Sequence, residues 1–467
     1  MTTITKMTSG EMKHLIQRFF NVAICVLFVG FQSSELNAAA VLVLGDDFYV
    51  IGVAANSAPV NPPVDPPSDV WGATIVSNSS RPERSWISSF GDVSVTGISS
   101  GSALQTAINN CADYCVIEID QLPLTGTINI NKSKVKLMGK SGNKVTFTGD
   151  DSIFSVGSNT REIIFEGLVI DGQDRARNSA SVFGIFVDGH SISKVQIKGN
   201  TIKNLYSESD AHGIAIYGTG NTEFNSVSDI IIENNTLDDL RTGSSESIVV
   251  NGNVKQWEIL NNNVSNVNNI AIDAIGGEGT SATRTVEGRV LPGLFDAARE
   301  GFIEGNSVTN MSTIGNTQYD GNSWAAAIYV DGGRDISISG NSAINTPWGH
   351  EIGAENCIET SNITLSNNSA NGSYFGDLVM GGYTAEGYLE NTQINCNPLS
   401  SSDSAEGHGY VSNATVKSNS FSSSRVDVNK VELQLRIRRT VIIEPGIIAV
   451  NTDGVVSGDQ NSIRATQ

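Results

Sequence analysis

Seven six-residue stretches superimpose without gaps on apolar third and fifth positions: 183–188, 212–217, 246–251, 268–273, 326–331, 350–355 and 376–381. If the apolar pair points inward, the sixth position points outward, because strand side chains alternate. That outward column reads Asp188, Tyr217, Asn251, Asp273, Asp331, Glu355, Gly381. In a parallel stack its neighbours stand about 4.8 Å apart. Carboxylates that close repel, so one of each pair keeps its proton unless a cation or a base intervenes. Asp273, Asp331 and Glu355 therefore read as an acid-base constellation, a Ca²⁺ site, or a row screened by solvent. His212 and His350, two of the five histidines, open their stretches in the same register. Tyr217, Trp324, Tyr329, Trp348 and Tyr383 are expected as exposed aromatics close to the column, as a sugar-binding surface requires.

Many short strands and turns must carry such a column. The 467 residues include 47 Gly and 45 Asn, which supply left-handed and tight-turn backbone at many places. A pattern of apolar, any, apolar, any, then Gly or Asn, then Asn ends at Asn200, Asn235, Asn262, Asn306, Asn341 and Asn368, with weaker copies ending at Lys140, Leu168, Asn397 and Asn419. The steps vary from 22 to 44 residues, which suits loops of different size leaving one corner of each turn of a parallel β-helix. No coil buries its inner face alone, so about ten of them stack into one core. The longest step holds the 276–299 insertion. Upstream, Ser102 to Ala112 has helical periodicity behind a Ser N-cap candidate and is expected to cap the first coil. Downstream, Val431, Leu433, Leu435 and Ile437 alternate with polar residues as a closing strand does.

The ends and the charge set the compartment and the partners. Residues 1–40 read as a secretory signal, with Lys6, Lys13 and Arg18 before the apolar run Val22 to Phe31 and small residues at Ala38 to Ala40. Five prolines between Pro59 and Pro67 mark 41–69 as a linker, 70–130 as an N-terminal cap, 131–425 as the β-helix and 426–467 as the closing strands. Cys111, Cys115, Cys357 and Cys396 permit two disulfides in an exported chain; for the first two a local bridge or buried thiols are expected. With 29 basic against 49 acidic residues, the charge of -20 gives no general attraction for nucleic acid or anionic lipid. The expectation is a secreted or periplasmic monomer, free of the membrane after signal cleavage.

The Asn-turn coils, the helix and the export signal together resemble the right-handed parallel β-helix proteins of the pectate-lyase-like superfamily, over roughly residues 100–460. The stretches 246–253, 269–280 and 328–333 look like those of secreted bacterial β-helix proteins associated with polysaccharide breakdown. The resemblance implies an all-β, right-handed parallel β-helix that acts on a uronate polymer such as alginate or pectate. The architecture also hosts hydrolases, epimerases and binding proteins, so the activity has to come from the site.

A lyase must neutralise the uronate carboxylate, take the adjacent proton and protonate the departing oxygen. Lys255 and Tyr217 are the candidate base and acid, with His212, Asn251 or Arg241 steadying the carboxylate. His350, Tyr329, Trp324 and Arg334 are further candidate substrate contacts, and Asp273, Asp331 and Glu355 candidate Ca²⁺ ligands. A hydrolase would instead use two carboxylates, about 5.5 Å apart if retaining and about 6.5–9.5 Å if inverting, which the Asp273, Asp331 and Glu355 row could supply. A non-catalytic glycan-binding protein would use the same aromatics and acids without proton transfer. The sequence holds no P-loop, HExxH or GxGxxG motif.

Overall fold

The structure, a computed structural model, describes residues 81–286, 289–319, 325–355, 358–382 and 409–421, and the backbone of a few short strands outside them. Most of the expected signal, the proline run, Trp324, Cys357, Tyr383 and Cys396 lie outside the described residues. Two compact units are present, Met1–Asp65 and Pro66–Gln467. The first holds three antiparallel strands, Leu27–Val29, Ala38–Leu44 and Asp47–Ala54. Strand thus occupies part of the stretch expected as linker. The last two strands pair antiparallel, Leu44 with Asp47 and Val41 with Val50.

The second unit is a right-handed parallel β-helix. Its smaller sheet has nine parallel strands: β1 (Ile128–Ile130), β2 (Asp151–Val156), β3 (Val182–Gly189), β4 (Ala211–Gly218), β5 (Ile248–Gly252), β6 (Ile272–Ile275), β7 (Ala326–Asp331), β8 (Trp348–Ala354) and β9 (Gly376–Gly382). Between successive members the chain runs through two legs of the large sheet, such as Val254–Leu260 and Asn263–Val267. Each coil thereby buries one inward row from every leg in a single continuous core.

The Asn and Gly abundance has a specific use. Each coil needs left-handed residues at its corners: Gly199, Asn234, Asn261, Gly305, Gly340 and Asn367 just before the Asn turn, and Asn204, Asp239, Asn266, Asn310 and Asn345 at the end of the next leg, with φ between 53° and 67°. The buried asparagines that end the repeat form a ladder. Asn200, Asn235, Asn262, Asn306 and Asn341 each donate from Nδ2 to the next Asn Oδ1 at 2.9–3.0 Å and to a backbone carbonyl of the preceding coil. Asn368 donates to Asn419 at 3.0 Å, and the copy ending at Asn397 lies outside the described residues.

A helix stands at the N-terminal end of the stack, as the periodicity implies. Helix α1, Gly101–Asn110, starts at Ser100, whose hydroxyl accepts from Ala103 N at 3.2 Å, and buries Leu104 and Ile108. Cys111 and Cys115 are joined by a disulfide. Leu435–Arg438 pairs in parallel with the Tyr410–Ser412 strand. A strap at residues 81–90 crosses the outside of the large sheet, with Arg81 on Glu258 and Glu304, Arg84 on Glu233 and Glu258, and Lys194 reaching back to Glu83. Among the described residues no helix is long and apolar enough to cross a membrane.

His350 departs from its expected place. It pairs with Ile328 and Leu378, two core positions, and lies against Phe421 inside the helix, so it is not in register with His212. Burial pushes its pKa down to about 4. The unfolded chain then binds a proton below pH 6.5 that the folded chain refuses until about pH 4, so this group costs stability as pH falls through that window. His350→Leu, which matches its aliphatic neighbours, is expected to gain about 2 kcal/mol over the parent at pH 5 relative to pH 8. Paired urea unfolding curves at the two pH values measure this, and equal pH slopes would refute it.

Candidate active site

The site is built on the outer face of β3 to β8. Register there follows Asp188↔Tyr217 and Tyr217↔Asn251 as expected from the sequence. It then departs: Asn251 pairs with Ile275, and Asp331 with Gly353. Asp273 stands two residues earlier, in the row Val249, Asp273, Tyr329, Glu351. The single column expected through Asp273, Asp331 and Glu355 is therefore two adjacent columns. The error has a physical cause, since a slip of two residues keeps every side chain on its face and leaves the apolar pattern unchanged. Glu355 reaches Asp331 from the loop after β8: its backbone N donates to Asp331 Oδ1 at 2.8 Å, and Tyr329 Oη donates to its Oε1 at 3.0 Å.

His212 faces outward because of a bulge. Gly213 N and Ile214 N both donate to Ser247 O at 3.0 Å, and the pairing passes from Phe183↔His212 to Ile185↔Ile214. Glycine is required for this approach, since a Cβ on Gly184 would lie 2.4 Å from Gly213 O. Phe183, His212 and Glu246 consequently join the outer face. His212 stacks on Phe183 with centroids 5.0 Å apart, and Phe183 stacks on Phe186 at 4.3 Å. His212 Nδ1 lies 2.9 Å from the Glu246 carbonyl, which only accepts, so Nδ1 carries the proton. Nε2 is left as the acceptor for Tyr217 Oη at 3.4 Å. Burial holds the His212 pKa down to about 4, so the ring is neutral at pH 7. The Tyr217 phenol is pushed well up by burial and by the nearby charges of Glu246, Glu278 and Asp210.

Around this pair stands a group of carboxyls that the sequence reading only half anticipated. Asn251 is fully buried, donates to Glu278 Oε2 at 2.6 Å and accepts from Thr280 Oγ1 at 2.8 Å, so the 276–299 insertion is tied to the column. Burial first, and then neighbouring acids, raise the pKa values of Glu246, Asp273 and Asp331 well above their ordinary carboxylate values. Asp273 Oδ1 is buried without a hydrogen-bond partner. Among the described residues no three His, Cys, Asp or Glu are arranged to hold a metal ion, so the expected Asp273, Asp331 and Glu355 ligand set does not converge. Glu246 was legible in the alignment, because it shares the first position with His212. Glu278 and Glu351 carried no signal, since both depend on register.

The basic candidates lie elsewhere. Lys255 is on the Val254–Leu260 strand of the large sheet, bonded to Glu223, and the structure does not bring it to Tyr217. It pairs with Arg299, and Arg299 with Arg334, giving a basic row around the corner from the acids. Arg299 is fully buried and donates to Glu223 Oε2 at 2.7 Å and Asn253 Oδ1 at 2.9 Å. Arg334 is buried, and burial and Arg299 lower its pKa to about 10. Arg241 ends another strand of the large sheet, 5.2 Å over the Tyr206 ring, away from the site.

No family model matches the chain. The uncharacterized protein YwoF of Bacillus subtilis (strain 168) is 36% identical over 226 residues, which is 48% of this chain and 45% of that protein. The chain thus matches under half the length of this relative. An alginate lyase from Paenibacillus sp. str. FPU-7 has a similar solved structure at a TM-score of 0.43 and 15% identity, covering 70% of this chain and 95% of that one. An endo-xylogalacturonan hydrolase from Aspergillus tubingensis gives 0.45 and 12%, covering 70% and 82%. The parallel β-helix assignment stands on the strand pairing of this chain itself.

Proposed function

We propose that the protein cleaves a uronate-containing polysaccharide by β-elimination on the outer face of β3 to β8. The observation that carries this reading is the Tyr217–His212 pair, whose hydrogen-bond partners leave a neutral imidazole ready to accept the phenol proton. Tyr217 oxygen takes the proton next to the substrate carboxylate while its own proton passes to His212 Nε2. The electron pair left on carbon expels the glycosidic oxygen, which collects a proton from a carboxyl of the cluster. Burial shifts Asp273 and Glu246 toward their neutral forms, which lessens the repulsion an anionic substrate meets on the acidic face.

Hydrolysis is the second reading, favoured by the corrected register. Asp273 and Asp331 sit diagonally on adjacent strands, so two carboxyls of the outer face can flank one sugar as a hydrolase requires. Asp273→Asn separates the two. The amide still donates a hydrogen bond, so elimination is expected to persist within about tenfold, whereas loss of a hydrolytic acid or base costs about 10²–10⁴-fold.

A further inference from the structure

The outer face does not end at Tyr217. One coil toward the N-terminal end, Phe186 and Phe183 stack with centroids 4.3 Å apart and planes 13° apart, and Phe186 meets the Tyr217 ring edge-on at 5.3 Å. Both phenylalanines are only half-buried, although the core lies on the opposite face of the same strand. Beyond them the face drops to serines: Ser152 pairs with Phe183 and Ser155 with Phe186. Asp188, exposed, stands two residues along β3 from Phe186, in register with Tyr217. Aromatic carbon bordered by a carboxylate and hydroxyls matches a pyranose, which has C–H faces and a rim of hydroxyls. A protein partner would call for a wider apolar patch than two rings bounded by serines.

We propose that Phe186 and Phe183, with Asp188 and Ser155 at their edge, form a subsite that holds a sugar ring of the same glycan chain that is cleaved at Tyr217. This rests on the reading of the face as a glycan-cleaving site, and it adds that the substrate runs along the helix axis across β2 to β4. Packing decides between this and a plain surface cluster: rings that only covered the sheet could be shortened without affecting a glycan.

The test uses the full chain and two readouts. Affinity gel electrophoresis in alginate, polygalacturonate and a neutral glucan measures binding by Tyr217→Phe alone and combined with Phe186→Ala or Phe186→Trp. Kinetics on the retarding polymer compare Phe186→Ala with the parent, and thermal unfolding checks that each variant folds. The expected result is a loss of retardation of about tenfold in Kd for Phe186→Ala, restored by Phe186→Trp, with KM raised about tenfold and kcat within about twofold. Unchanged Kd and KM in folded Phe186→Ala overturn the subsite while leaving the cleavage reading intact. A parent that cleaves nothing but is retarded through Phe186 keeps the subsite and removes the cleavage reading. No retardation of any variant in any glycan overturns both.

Discussion

Tyr217→Phe is expected to lower turnover about 10²–10⁴-fold while leaving the fold and glycan binding in place. The phenyl ring keeps its edge contact with Phe186 and its place between Asp188 and Asn251, so only the hydroxyl that bridges to His212 is lost. The same relay sets the pH dependence. His212 accepts the phenol proton only while its ring is neutral, and burial holds its pKa at about 4. The Glu246 and Asp210 carboxyls and the Tyr217 phenol face it, and Asp210 acts in the opposite direction to burial. Lowering the pH through about 4 therefore protonates the acceptor, and kcat/KM falls there. Rate profiles of the parent measure this limb; a limb at the ordinary histidine value near 6.5 would show that His212 is solvated and outside the relay. Full activity in folded Tyr217→Phe would remove Tyr217 from the chemistry.

Asn306→Leu carries the largest expected stability loss, about 4 kcal/mol. The leucine fits the volume of the rung but removes every bond the side chain makes, while the backbone N–H of residue 306 keeps its bond to Asn341 Oδ1. Asn262 loses the acceptor of both its backbone N–H and its Nδ2, at 2.9 and 3.0 Å, while Ile259 O and Asn341 Oδ1 lose a donor. Each orphaned buried group costs about 1–3 kcal/mol, with partial relief from local adjustment. Asn263, exposed one position past the Asn262 rung, is the control: Asn263→Leu is expected within about 0.5 kcal/mol of the parent. Thermal unfolding of the three proteins decides it, and equal midpoints for Asn306→Leu and Asn263→Leu would mean that the ladder adds nothing.

The ladder was legible in the sequence because it repeats. An Asn after an apolar alternation, seen at Asn200, Asn235, Asn262, Asn306, Asn341 and Asn368, identifies both the coil and its corner. Helix α1 and the Cys111–Cys115 bridge were equally local. The site was legible only in part. Alternation places Tyr217, Asn251 and Asp331 on the outer face but is blind to a two-residue slip, which moved Asp273 and Glu355 off the column. His350 follows plain alternation, sharing the inward row with Ile352. His212 came out on the correct face for a reason that alternation does not contain, the bulge at Gly213. Lys255 was close to Asn251 in sequence, but the coil turns its corner between them, and its charge goes to Glu223. The strap had no periodic signal at all: Arg81 and Arg84 are recognisable only once Glu233, Glu258 and Glu304 are aligned on one face.

The most direct test of the account is the chemistry of the product. Purified protein is incubated with a panel of uronate and neutral polysaccharides while ultraviolet absorbance and new reducing ends are followed together. Elimination at Tyr217 predicts that absorbance of an unsaturated sugar rises in step with reducing ends on a uronate polymer, and that Tyr217→Phe abolishes both. Reducing ends without that absorbance, lost in Asp273→Asn and retained in Tyr217→Phe, would contradict it and assign the face to hydrolysis.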